Sequence, residues 1–305
     1  MKIAFLVLAH KNAAQLNRLI KALSSDKSDV FVHLDKKCSF GAEAVSEKAV
    51  FTENRFDIGL YEFAMVEAEL ELIKTAKRCG DYGYFVVISA QCMPVKKIDE
   101  ICSFFEEKYP VPFIEIVSQK PDNYVRVNYS RVYINKRFIM KSYGFLKKHF
   151  SFRTFRILRY IPGGIARINS AVKELFVKSP KKRLEKMGIT GFCGSQWWAL
   201  PDKAIDEVLK LSVNKRFCDT ISDVYSCDES FFQTSVMATG AKELVTADEN
   251  GDYKNSLWFY DFVDGSHPRF LTAKDFDAIK ASGKLFARKL DTDVDSEIFD
   301  LLEGK

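Results

Sequence analysis

The chain has 305 residues, 47% hydrophobic and 29% charged, a composition that excludes disordered, collagenous and coiled-coil proteins and leaves room for one large domain or two joined ones. Charge is unevenly placed: residues 120–186 hold 18 Lys/Arg against three acids (Asp122, Glu174, Glu185), a net of +15, so with the whole chain at +5 the remainder carries −10. A cationic region on an otherwise acidic protein calls for an anionic partner.

The opening MKIAFLVLAHKN has a lysine and seven apolar residues, but His10-Lys11-Asn12 stands where a small-residue cleavage site would be. It reads as a first buried strand, Ile3–Ala9, rather than a signal peptide. No apolar stretch reaches the roughly 18–20 residues of a membrane span, so the expected location is the cytoplasm. Leu16, Leu19, Ile20 and Leu23 then mark a helix over Ala13–Leu23. A second strand is expected at Asp29–Leu34, a helix at Phe63–Lys77, and a third strand at Tyr84–Ser89. A helix near Ile98–Glu107 and a strand at Pro112–Val117 follow. Strands apolar on both faces, alternating with helices, predict an α/β protein with a mostly parallel sheet covered on both sides. The first strand lacks a following G-x-G-x-x-G, which disfavours a dinucleotide-binding dehydrogenase.

The basic region is also aromatic (RVNYSRVYINKRF, then KSYGFLKKHFSFRTFRILRYIPGG) and suggests short helices. Beyond it the pattern predicts a strand at Phe192–Leu200, a proline-started helix at Pro201–Leu211, a helix from Ser226 to Thr239 closed by Gly240, a strand at Leu257–Phe262 and a short helix at Ser296–Leu302. There is no internal repeat and no low-complexity linker, so one integrated domain is the simplest organisation. Seven cysteines, an odd number without zinc spacing, read as reduced thiols.

The stretch CDESFFQTSVM (Cys227–Met237) poses the central question. Ser226 and Glu229 fit the S-x-x-E capping box of a helix start, and acids in a first turn suit the helix dipole. Without context the cap is the simpler reading; the functional alternative makes Glu229 a general base at the mouth of a site. DTDVD (Asp291–Asp295) has the look of a calcium loop, but Ser296 and Leu302 occupy the positions where an EF-hand needs Gly and Glu; an acidic helix cap is the better reading. Of Trp197 and Trp198, strand alternation allows only one to face a site, and Trp198 is taken as the sugar-stacking candidate.

Five segments occur in order: VFVHLDKK (Val30–Lys37), ISAQCMPVK (Ile88–Lys96), GSQWWALP (Gly194–Pro201), DESFFQT (Asp228–Thr234) and LFARKLDTDVD (Leu285–Asp295). Together they resemble the core-2/I-branching β-1,6-N-acetylglucosaminyltransferase and peptide O-xylosyltransferase family, glycosyltransferase family 14, in a bacterial-type member. The resemblance runs from Ile3 to about Asp295. It implies a GT-A-type fold and an inverting, metal-independent transferase that moves a sugar, GlcNAc by default, from a UDP donor to a glycan hydroxyl. The setting it implies is cell-surface polysaccharide or glycolipid assembly. It divides a single domain into a nucleotide-binding half (1–118), a basic aromatic insertion (119–187) and an acceptor and catalytic half (188–305).

By the same resemblance Glu229 is the base, Lys289 contacts the donor diphosphate with Arg288 beside it, and Asp35 lies at the nucleoside. Asp228, Trp198 and Glu115 are candidate substrate contacts. No metal or other cofactor is expected. These residue types suit the chemistry: displacement at an anomeric carbon needs a base for the acceptor proton and positive charge where the diphosphate leaves. The simpler readings are a strand-end turn for His33-x-Asp35 and a solvated basic pair for Arg288-Lys289. The sequence also departs from the family. Trp258, in Leu257–Phe262, stands where many members have a phosphate-binding arginine, and Ser89-Ala90-Gln91-Cys92 replaces S-G-Q-D. A second class of function therefore stays open: a degenerate member that binds a membrane or polyanion. The basic region is an ordinary surface, a dock for anionic lipid on the inner face of the cell membrane, or, less in keeping with its motifs, a single-strand binder.

Overall fold

The computed structural model describes residues 1–59, 62–117, 177–245, 256–262 and 268–304, the strand Tyr253–Lys254, and scattered positions between 142 and 176. Most of the expected basic aromatic insertion, including most of the proposed lipid-facing stretch, lies outside the described residues.

Four parallel strands form one side of the main sheet: β1 (Ile3–Ala9), β2 (Ser28–Leu34), β3 (Val50–Phe51) and β4 (Tyr84–Ser89), in the order β3-β2-β1-β4. The sheet continues through β7 (Cys193–Pro201), β6 (Phe113–Val117) and β8 (Tyr253–Lys254), each antiparallel to its neighbour. Every residue of β1 and β4 is buried, because both faces carry helices. Helix α1 (Ala13–Leu23) crosses from β1 to β2, and α2 (Ala64–Cys79) crosses back from β3 to β4. Right-handed crossovers in opposite directions place the two helices on opposite faces. The α1 stripe Leu16, Leu19, Ile20 and Leu23 is fully enclosed, each side chain contributing about 1.5–3 kcal/mol of burial. The α/β class and the covered parallel strands agree with the sequence, as do α1, β4 and the helix α3 (Ile98–Lys108).

A second, three-stranded sheet sits beyond the C-terminal end of β4. It joins β5 (Cys92–Pro94), β10 (Phe286–Arg288) and β9 (Trp258–Phe259). Only two residues of the expected Leu257–Phe262 strand pair regularly. Helices α4 (Pro180–Glu185), α5 (Asp202–Ser212), α6 (Lys215–Ser222) and α7 (Phe231–Ala238) precede β8, and α8 (Phe276–Ala281) and α9 (Glu297–Glu303) flank β10. Arg18 of α1 donates to Asp300 and Glu303, both at 2.6 Å, and so docks α9.

Two helix starts differ from expectation. Pro201 ends β7 and caps α5 from outside instead of occupying its first turn. The Ser226 capping box does not form. Ser226 has a left-handed backbone (φ 56°) with no side-chain cap, Cys227–Glu229 is a single 3₁₀ turn, and α7 begins at Phe231. The Ser226 carbonyl instead accepts from the Glu229 amide at 3.0 Å and the Ser230 hydroxyl at 3.0 Å. At its other end α7 stops at Ala238, where the Thr239 hydroxyl donates back to the Ser235 carbonyl. All seven cysteines are free thiols, and among the described residues no helix is long and apolar enough to cross a membrane.

Candidate active site

The C-terminal ends of β1, β2 and β4 open toward one edge, where open α/β sheets place their ligands. Lys11 and Asn12 follow β1, Asp35 follows β2, and Ser89–Gln91 follow β4. β10 runs to the same edge. Its Arg288 stands opposite Cys92 of β5, and beyond it the Leu290 amide donates to the Gln91 carbonyl at 2.9 Å. Buried Gln15 of α1 ties these segments together, donating to the Ala90 and Leu290 carbonyls (2.6 and 3.2 Å) and accepting from the Thr292 amide (3.0 Å). Lys11 pairs with Asp291, and Asn12 donates to Thr292 at 2.8 Å.

This scaffold fixes two cations. The Arg288 guanidinium lies 4.2 Å from the Trp197 ring centroid, and the Lys289 ammonium 4.7 Å from that of Phe270. Such stacking holds a cation without neutralising it. Among the described residues neither has a carboxylate partner, and Arg288 Nη1 is buried without a hydrogen bond. Burial, with the Arg288 and Lys11 charges nearby, pushes the Lys289 ammonium below the usual lysine range. Cys92 contributes to this imbalance: a thiol, kept protonated chiefly by burial, borders Arg288 where a carboxylate would have paired with it.

Asp35 is buried at the end of β2. Its Oδ1 accepts from the Lys37 amide at 2.8 Å, Oδ2 lies 3.5 Å from the Lys37 ammonium, and Arg55 donates to its carbonyl at 2.7 Å. The turn thus holds one buried carboxylate among the cations Lys37 and Arg55. His33 supports it from within: burial lowers its pKa to about 4, so the neutral ring accepts the Phe56 amide through Nε2 at 3.0 Å. His33 is a structural acceptor.

The second block is built on β7. Gly194 is needed there, since a Cβ at that position would lie 1.7 Å from the Glu115 carbonyl oxygen, next to the bulge in the β6–β7 pairing. Helix α7 is fastened to this strand by the Thr234 hydroxyl, which bridges the Phe192 amide and carbonyl (3.0 and 3.1 Å), and by Gln233, which donates to the Ser195 carbonyl at 2.6 Å. These bonds explain why GSQWWAL and DESFFQT act as one unit, and they fix the turn that carries Glu229, half-buried at its end. Asp228 beside it is buried. Burial, then the Glu229 charge, raises its pKa from the ordinary 3.8 to about 7, and Oδ1 has no partner among the described residues.

Trp198 is not at the surface of the site. Its ring is fully enclosed, 4.6 Å from Phe232, and this corrects its expected sugar-stacking role. Alternation along β7 sends Trp197 to the other face, beneath Arg288. Glu115 lies half-buried, accepting from the Tyr260 hydroxyl at 2.9 Å. Trp258 does not line the cationic cluster with a polar group either; it stacks on Phe286 at 5.2 Å in the core of the small sheet. In DTDVD, Asp295 accepts the Ile298 amide at the start of α9, whereas Asp291 serves Lys11 and the Asp293 amide. Only one of its acids is thus a helix cap. Sequence reasoning missed Lys11, Gln15 and Glu69. The last had a visible signal, a charged residue on the apolar stripe of α2.

Residues 3–280 match the family model for the Core-2/I-Branching enzyme. No curated protein gives a significant match. A match over nine-tenths of the chain, on an α/β fold, is decisive: the chain belongs to the core-2/I-branching enzyme family, whose members are glycosyltransferases.

Proposed function

We propose that the protein is an inverting glycosyltransferase that takes a sugar from a UDP donor, GlcNAc by family weight, to a glycan hydroxyl. The observation that carries this reading is the Arg288–Lys289 pair, set on aromatic faces at the strand ends with no carboxylate partner among the described residues. Two unneutralised cations suit a diphosphate and would balance the negative charge that grows as UDP departs. Asp35 is assigned to the nucleoside. Glu229 accepts the acceptor hydroxyl proton as its oxygen bonds to the anomeric carbon. The bond from that carbon to the diphosphate oxygen breaks with its electron pair leaving on UDP, so configuration inverts. The base contributes about 10²–10⁴ in rate. Diphosphate binding without a metal belongs to the same proposal, on the family resemblance. Calorimetric titration of UDP with EDTA, and again with magnesium or manganese, tests it. Tight binding indifferent to EDTA is the expected result; binding that requires the metal, or no binding, overturns the lysine–arginine site.

One observation favours a membrane surface as an additional partner. Ile161, Ile165, Ile168, Val172 and Phe176 recur at helical spacing and are 43–84% exposed, within the region of net +15. Apolar side chains among lysines and arginines suit anionic lipid, and would bring the enzyme to a lipid-linked acceptor on the cytoplasmic face. Flotation with anionic but not neutral liposomes is expected. Flotation without UDP binding would indicate a degenerate, purely binding member of the family.

A further inference from the structure

A carboxyl that the proposed chemistry does not use lies behind the catalytic turn. Glu69 stands in the second turn of α2, on the stripe of Val66, Leu70 and Ile73, and is wholly enclosed. Because α2 runs back from the strand ends, this turn is at the site's edge of the sheet. Glu69 Oε1 accepts from the Gln196 side-chain amide at 3.2 Å, while Oε2 is buried without a partner among the described residues. Asp228 Oδ1, whose charge Glu69 feels, is likewise without a partner among the described residues, and the Trp198 indole N–H faces Glu69 without a well-formed hydrogen bond. The three complement one another. An indole N–H can only donate, a carboxylate oxygen can only accept, and a carboxyl does either according to whether it holds a proton.

Two ionised carboxylates in so dry a space would each cost several kcal/mol in lost hydration and repel one another. We propose that Glu69 is a positioning residue for the catalytic base: it keeps a proton, steadies Asp228 with it, and so fixes the direction in which the adjoining Glu229 presents its carboxylate. This rests on the assignment of Glu229 as base. Burial, outweighing the Gln196 hydrogen bond and the Trp198 indole N–H that oppose it and aided by the Asp228 charge, holds the Glu69 carboxyl well above the usual range. The neighbouring Cys227 is likewise kept as a thiol, chiefly by burial. A neutral Glu69 also serves the chemistry directly. An ionised one would place a second negative charge behind Glu229 and tighten its grip on a proton, leaving a poor base at neutral pH.

The test uses Glu69→Gln, which reproduces a neutral carboxyl, and Glu69→Leu, which removes its polar atoms. Difference infrared spectroscopy of the wild type against Glu69→Gln at neutral pH reads the proton without any turnover. The carbonyl band of a neutral carboxylic acid should vanish in the variant; loss of a carboxylate band instead overturns the proposal. UDP release from a UDP-sugar then reads the positioning. Glu69→Gln should keep kcat within about threefold of wild type, and Glu69→Leu should lose about tenfold or more with the donor KM unchanged. Wild-type kcat in Glu69→Leu, or an equal loss in both variants, refutes the role. If Glu69→Leu does not fold, the Gln variant and the infrared band decide. If the wild type neither binds nor releases UDP, the functional reading has failed, while the infrared result still shows whether Glu69 holds the proton.

Discussion

Replacing Asp228 by asparagine isolates the cost of placing a carboxylate inside this turn. The side chain is buried and its pKa rises from 3.8 to about 7 on folding, first by desolvation and then by the Glu229 charge. A raised acid pKa means the folded chain binds that proton more tightly than the unfolded chain. The associated stability is fully present below about pH 4 and drains away as pH climbs toward 7. A shift of about three units at about 1.4 kcal/mol each gives about 4 kcal/mol lost by about pH 8. Asparagine keeps the shape and an oxygen for the turn's amides but cannot ionise, so it escapes this loss. Urea unfolding of wild type and Asp228→Asn should give equal midpoints near pH 4. A gap should open through the mid-acid range and reach about 4 kcal/mol in favour of the variant near pH 8. A gap independent of pH, or a wild type more stable than the variant at high pH, would refute the buried-carboxylate reasoning.

Three further outcomes bear on the site. Glu229→Gln should lower turnover by about 10²–10⁴ with the UDP dissociation constant unchanged; full turnover would remove Glu229 from the mechanism. Lys289→Ala should weaken UDP about 10–100-fold, the worth of one charged hydrogen bond, while uridine binding stays as it was. Equal losses for UDP and uridine would mean Lys289 does not act on the phosphates. Trp258→Arg, which restores the residue common in the family, should destabilise the fold by about 3–5 kcal/mol because it buries an unpaired charge where an indole now stacks on Phe286. A stable variant with tighter UDP binding would show that position 258 reaches the phosphate site after all.

The buried parallel strands were readable because their enclosure on both faces leaves continuous apolar runs: Tyr84–Ser89 was anticipated to the residue. The start of α7 was not, although Ser226-x-x-Glu229 has the right local chemistry. The Ser226 carbonyl is drawn into the turn by two donors, and the residue, in left-handed backbone, makes no side-chain cap. Period-two alternation correctly separated Trp197 from Trp198, but nothing local decides which face of β7 meets Arg288. That choice depends on β10, almost ninety residues later in the chain. The candidate site residues Asp35, Glu229 and Lys289 rest on the resemblance, since none announces a role by spacing. Glu69 was legible in principle as an acid on a core stripe, and what it means requires the neighbours that only the folded β7 supplies.

The clasp made by Gln15 carries a consequence for how the protein comes into being. Its amide group joins α1 to a segment 277 positions downstream, which makes the corner that carries Arg288 and Lys289 one of the longest-range associations among the described residues. Strands β1, β2 and β4 can pair while the ribosome is still at work, whereas Arg288 and Lys289 arrive only after nearly all of the described fold has been made. Domains generally assemble from the N-terminal side during synthesis, and distant contacts form slowly because their loops must close first. A nascent chain thus presents a sheet with an unfinished mouth. Any ligand that needs this corner can stabilise the folded state only once that mouth is closed, and so favours completed chains over partial ones.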